Sequence, residues 1–166
     1  MPYPSSVDTG QIQPWILGEI ADLNNAQANT RTANNCYFNP TRLDAHAVLM
    51  ALRTQIGTAG NGHIQLGVYD EGKNLLYASA STTTTTGIMT LTLATPLPLA
   101  PGRYYLSLWI DNAVDQTYSA ELTTAGAGPG LNGVNAGGLP ALMTTANPVN
   151  FHRRMAIVGL IQGGWS

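Results

Sequence analysis

An all-β fold, an antiparallel β-sandwich, is what this sequence of 166 residues predicts. Three observations carry that prediction. Strand, turn and strand signals follow one another without interruption from His63 to Asn112, threonine and asparagine are plentiful, and glycine (18) and proline (10) punctuate the chain. Such a mixture favours strands joined by many turns over helices. A chain of this length is one domain by the usual prior, large enough to bury a core without disulfides or metals.

The central stretch sets the pattern. In His63–Tyr69, Ile64, Leu66 and Val68 share one face and Gln65, Gly67 and Tyr69 the other, the period of a half-buried strand. Asp70-Glu71-Gly72-Lys73-Asn74 reads as a hairpin turn with Gly72 taking the positive φ, and Leu75–Ser79 returns. Ser79–Thr86, which ends in five threonines, fits an edge strand or a long exposed loop. Met89, Leu91 and Leu93 alternate with Thr90 and Thr92 in a further strand. Pro96, Pro98 and Pro101 are expected to break it, since proline gives the ladder no donor. Gly102 opens the strongest strand, in which Tyr104, Leu106, Leu108 and Ile110 face the core and Arg103, Tyr105, Ser107 and Trp109 lie opposite.

Upstream, residues 1–31 read as an N-terminal arm and 32–166 as the sandwich. Trp15, Ile16, Leu17, Ile20 and Leu23 form an apolar patch on that arm. Pro14 and the spacing of Ile16, Ile20 and Leu23 allow one short helix, whose patch docks on its own sandwich or on a neighbouring subunit. Cys36-Tyr37-Phe38 before Pro40 marks a short strand, and Ala47–Ile56 alternates as a longer one. Downstream, Tyr118, Ala120 and Leu122 mark another strand. Residues 125–150 are expected to be largely loop, because residues 125–138 hold six glycines and a proline with little to bury. From Phe151 to Ile161 the chain is apolar on both faces. If Ile157 and Ile161 face the core, Val158 and Leu160 face a partner, for which a threefold arrangement of copies is the expectation.

Charge narrows the function. Charged residues are 10% of the chain, the net charge is −2 and the pI is about 5.8, so nothing draws in nucleic acid through its phosphates. No apolar run is long enough for a membrane-spanning helix, and Met1-Pro2-Tyr3-Pro4 begins no secretory signal, so cytoplasmic assembly is the expectation. The single Cys36 is expected to be a buried, inert thiol. No metal or cofactor site is expected. His46, His63 and His152 lack ligand spacing, and Asp70, Glu71, Asp111 and Asp115 are explained by turn chemistry without calcium. Neither a nucleophile elbow nor a phosphate loop is present, so no catalytic residue is assigned. Tyr69, Tyr77 and Trp109 could stack on sugar rings, while Tyr105 and Trp109 could instead form the second face of the core. Arg153-Arg154 reads as a solvated strand start or a contact for an acidic neighbour.

The segments His63–Asp70, Leu75–Ser79 and Leu97–Leu108 together resemble the jelly-roll modules of tailed-bacteriophage virion proteins. The likeness covers about residues 32–124. Those modules occur in fibre heads, baseplate proteins and capsid decoration proteins. The resemblance implies a trimeric, non-enzymatic, particle-bound protein, with a capsid decoration (cement) protein that stabilises the head shell as the first expectation. In that setting Trp15, Ile16, Leu17 and Ile20 would hold the arm on the major capsid protein or another virion protein. The alternative is a receptor-binding tip of a tail fibre or baseplate, or a carbohydrate-binding module, meeting a cell-surface glycan.

Overall fold

The computed structural model describes residues 15–17, 26–121, 131–134, 137–143 and 153–163. Thirteen strands follow in order: β1 (Trp15–Leu17), β2 (Ala26–Thr30), β3 (Asn35–Leu43), β4 (Ala47–Thr58), β5 (His63–Asp70), β6 (Leu75–Ala78), β7 (Thr82–Thr83), β8 (Gly87–Leu99), β9 (Gly102–Ile110), β10 (Gln116–Glu121), β11 (Leu131–Val134), β12 (Arg153–Met155) and β13 (Ile157–Gly163). They form two antiparallel sheets packed as a sandwich. The first holds β1, β2, β4, β8, β10, β12 and β13, and the second holds β3, β5, β6, β7, β9 and β11.

The main core lies between the sheets where the alternating apolar positions converge. Ile64, Leu66 and Val68 of β5 and Leu106, Leu108 and Ile110 of β9 are fully buried and meet Leu49, Leu52, Ile56, Ile157 and Ile161 from the first sheet. Burying a side chain of this kind contributes roughly 1.5–3 kcal/mol, so these residues dominate the stability of the sandwich.

Within the first sheet, β4 carries β8 on one side. Its other side is shared. Thr58 and Ile56 pair with Gln116 and Thr117 of β10, whereas Ala47 to Thr54 pair with β13. The β12–β13 line, broken only at Ala156, therefore enters between β4 and β10 like a wedge. Met155 pairs with Ser119 of β10, and the Ala156 N–H donates to the Tyr118 carbonyl at 3.0 Å. Beyond the wedge β1 adds to β13, and β2 adds to β10.

Several expectations change. Trp15–Leu17 is a strand rather than a helix, because pairing with Ile161, Leu160 and Gly159 of β13 supplies its backbone bonds; Ile20 and Leu23 lie outside the described residues. Ala26–Thr30, assigned to the arm from sequence, is a full partner of β10. The chain does not leave its strand at Pro96 or Pro98. Instead β8 runs to Leu99, and the register slips from Thr92 opposite Ala51 to Leu97 opposite Leu49, so the proline-bearing stretch bulges out. In the hairpin turn the positive φ belongs to Lys73 (69°), not Gly72. Asp70 compensates by accepting the Asn74 N–H at 2.8 Å, a bond that also holds its carboxyl below the usual range. Residues 131–134, expected as loop, form β11 against β3.

Candidate functional site

Two surfaces bear on function, one on the outer face of each sheet. On the second sheet that face is not open. Cys36 and Phe38 of β3, Tyr69 of β5 and Trp109 of β9 build a second apolar cluster, and the segment 137–143 straps across it with Met143 buried and Leu139 half-buried. Hydrogen bonds along its length hold the strap. Leu139 N–H donates to Gln65 Oε1 (3.0 Å), the Tyr69 hydroxyl to the Pro140 carbonyl (2.7 Å) and Leu75 N–H to the Ala141 carbonyl (2.9 Å). Met143 N–H reaches the Lys73 carbonyl (2.9 Å), and the Cys36 thiol faces the Gly138 carbonyl at 3.7 Å. Gly138 sits at φ 108°, and a Cβ there would collide with the Gln65 side chain, so only glycine lets the strap descend.

This arrangement corrects the sugar-platform assignment. Tyr69 is 0% exposed and packs edge-on against Phe38 at 5.3 Å between centroids, while Trp109 is 6% exposed, so neither offers a ring face to a ligand. Trp109 is second-core material, the other reading its position allowed. Tyr77 is half-buried and packs on the main core, because it is the register partner of inward-facing Val68. Cys36 is a buried free thiol, and burial pushes its pKa up to about 12. Sequence reasoning missed the strap. Its signal was Leu139-Pro140-Ala141-Leu142-Met143, an apolar run directly after the glycine-rich stretch.

On the first sheet the outer face has no covering segment among the described residues. Ile157, Gly159 and Ile161 of β13 are buried inward, so alternation turns Val158 and Leu160 outward, where both are half-buried. Val158 stands beside Arg53 and Leu160 beside Ala51; the next strand over adds Thr90 and Thr92. Val48 and Met50 are half-buried and Ile88 is 65% exposed. Arg53 is the one charged residue on this part of β4, and its guanidinium is drawn flat along the sheet by an Nε–H bond to Thr90 Oγ1 at 3.0 Å. What results is a smooth, nearly uncharged sheet face with apolar side chains at its middle.

The other expected residues fall in several places. The side chains of Trp15, Ile16 and Leu17, and those of Arg153 and Arg154, lie outside what is described, as do Ile20 and His152. Asp70 and Asp111 sit at opposite ends of β5, since Asp111 pairs with His63 (Oδ2 to Nδ1, 2.8 Å) at its start; the four acidic residues do not converge. Among the described residues no group of three His, Cys, Asp or Glu is placed to hold a metal, and no helix is long and apolar enough to cross a membrane. No family model, curated protein or solved structure matches this chain.

Proposed function

We propose that the protein is a structural component of a tailed-phage particle, a jelly-roll domain that assembles as a homotrimer and decorates the head shell through contacts with the major capsid protein. The observation that carries the reading is the outer face of the first sheet, centred on Val158 and Leu160, which no segment covers among the described residues. A face of this kind is poor in charge and has apolar positions at its centre, the composition of an interface core rather than of an ordinary wet surface. Closed symmetry covers it in every copy at once.

The jelly-roll part of the reading is supported by strand order. Four strands of one sheet, β2-β10-β4-β8, face four of the other, β3-β9-β5-β6, with β2–β3, β4–β5 and β9–β10 each crossing between sheets. That interleaving is what two nested Greek keys produce. The β12–β13 wedge and β1 are additions to it.

Assembly is tested by sedimentation. Wild type is expected to run as a trimer, and Val158→Asp with Leu160→Asp to run as a monomer that keeps the wild-type far-ultraviolet spectrum, because two unpaired charges in a dry interface cost on the order of several kcal/mol. Wild type that remains monomeric at high concentration overturns the assembly claim.

A further inference from the structure

At the end of the second sheet, far from the face assigned to assembly, β3 finishes and β9 begins beside the β5–β6 turn. A shallow cleft of about 310 Å³ opens there, lined by Arg42, Asp44, Glu71, Arg103, Pro101 and the edge of Leu43. Its charges are placed unusually. Arg42 and Arg103 are direct register partners on neighbouring strands, and like charges directly opposite each other across an antiparallel pair repel. Asp44 answers only one of them, through a 2.8 Å bond from Arg42 Nε. The Arg103 guanidinium makes no hydrogen bond or ion pair among the described residues, although Glu71 lines the same cleft. One guanidinium, unpaired among the described residues and held beside a second, is left lining the opening.

The walls are set before any ligand arrives. The Tyr104 hydroxyl donates to the Ala100 carbonyl at 2.7 Å and fixes the turn that carries Pro101 and Arg103. Asp70 closes the opposite wall by bonding the Asn74 backbone, and its own carbonyl accepts the Lys73 N–H at 3.0 Å, so Glu71 sits on a rigid turn. Preformed walls reduce the ordering cost of binding.

We propose that this cleft binds a carboxylate-bearing sugar, a uronic or sialic-type residue, with Arg103 taking the carboxylate and Glu71 and Asp44 accepting from ring hydroxyls. Arginine matches a carboxylate with two parallel N–H bonds. The two flanking carboxylates choose the ligand class: they repel a run of acidic side chains, whereas a sugar acid brings one negative charge and several hydroxyl donors to meet them. Pro101 supplies the small apolar surface on which a ring can rest. The cleft thus gives the glycan reading a location on residues other than the buried aromatics, and it stands independently of trimer formation.

Chemical-shift titration at low salt tests it with methyl glucuronide and N-acetylneuraminic acid as acidic probes and methyl glucoside and acetate as controls. An acidic sugar is expected to shift the amides of residues 42–44, 71–72 and 102–104 with a Kd on the order of 1–10 mM, the range of a single sugar in an open site. Arg103→Ala is expected to weaken this at least tenfold, Arg103→Lys less, and Glu71→Gln about threefold. Sedimentation of Arg103→Ala unchanged from wild type separates this result from assembly. Binding that survives Arg103→Ala, equal binding of methyl glucoside, or acetate binding as tightly as the sugar acids overturns the proposal, as does the absence of any shift.

Discussion

Asp115→Ala is expected to cost about 3 kcal/mol and to lower the melting temperature by roughly 6–12 °C. Asp115 is 0% exposed and gathers three separate segments at one end of the sandwich. Its carboxylate accepts the Gly60 N–H from the β4–β5 turn and the Thr84 hydroxyl (2.8 Å) from the threonine run. Its own N–H donates to Asn112 Oδ1 at 2.9 Å. Truncation leaves the Gly60 N–H without its acceptor and the buried Thr84 hydroxyl with only the longer 3.2 Å bond to the Gly62 carbonyl, and it is the stranded donor and the weakened one rather than the lost bonds that make the change expensive. Asp115→Asn keeps one acceptor oxygen and is expected to recover at least half of the loss in urea unfolding. An alanine variant within about 0.5 kcal/mol of wild type would show the cluster to be dispensable.

Alkali should act on the strapped cluster. The Cys36 thiol, raised from 9.0 to about 12 by burial, holds its proton more tightly folded than unfolded. Stability is therefore complete below pH 9 and falls as the pH climbs toward 12, by on the order of 2 kcal/mol once solvent screening is allowed for. Tyr69, whose phenol is pushed up by the same burial, adds to the slope in that window. Cys36→Ala is expected to flatten the dependence of unfolding free energy on pH between 9 and 12, and parallel slopes for the two proteins would refute the assignment. At pH 8 the wild-type thiol should react with Ellman's reagent only as fast as the strap opens. Tyr69→Phe removes the hydroxyl bond to Pro140 and should speed labelling about fivefold, as a loss of about 1 kcal/mol requires.

How far the sequence could be read depended on where each segment finds its partners. The faces of β5 and β9 were legible because each strand alternates cleanly and is buried on its principal face whichever neighbour it has. The inward turn of Ile157 and Ile161 was legible for the same reason. That Tyr77 packs on the main core instead of standing open to a sugar was not legible, because the β5–β6 register shifts between Val68 and Tyr69, and a one-residue slip reverses every side chain. The helical spacing of Ile16, Ile20 and Leu23 was too short a signal to decide anything for Trp15–Leu17 against a ladder waiting on β13. The strap was the hardest to see: its few apolar residues have meaning only over Cys36, Phe38, Tyr69 and Trp109, which three distant strands bring together. For the Arg103 cleft, no local motif exists. It depends on Arg42 and Arg103 meeting across a sheet, a register the linear order does not display.

The wedge made by β12 and β13 has a consequence in time. Of the second sheet, β3, β5, β6, β7 and β9 precede Asp111 and only its β11 edge follows, so all but that edge can form while the rest of the chain is still being synthesised. The first sheet cannot. Until residues 153–163 emerge, its β2–β10 and β4–β8 halves are joined in the ladder only by the two residue pairs at Gln116 and Thr117, and β1 lacks the strand it pairs with among the described residues. Contacts that span most of a chain form slowly, because loop closure must precede any gain from them. Pulse-labelled hydrogen exchange during refolding is accordingly expected to protect the amides of β5 and β9 first and those of β1 and β13 last; simultaneous protection of all four would exclude this order. In the interval the nascent protein carries a nearly complete sheet beside an open one, whose unpaired edges on β4 and β10 make the late strand the step that guards against aggregation.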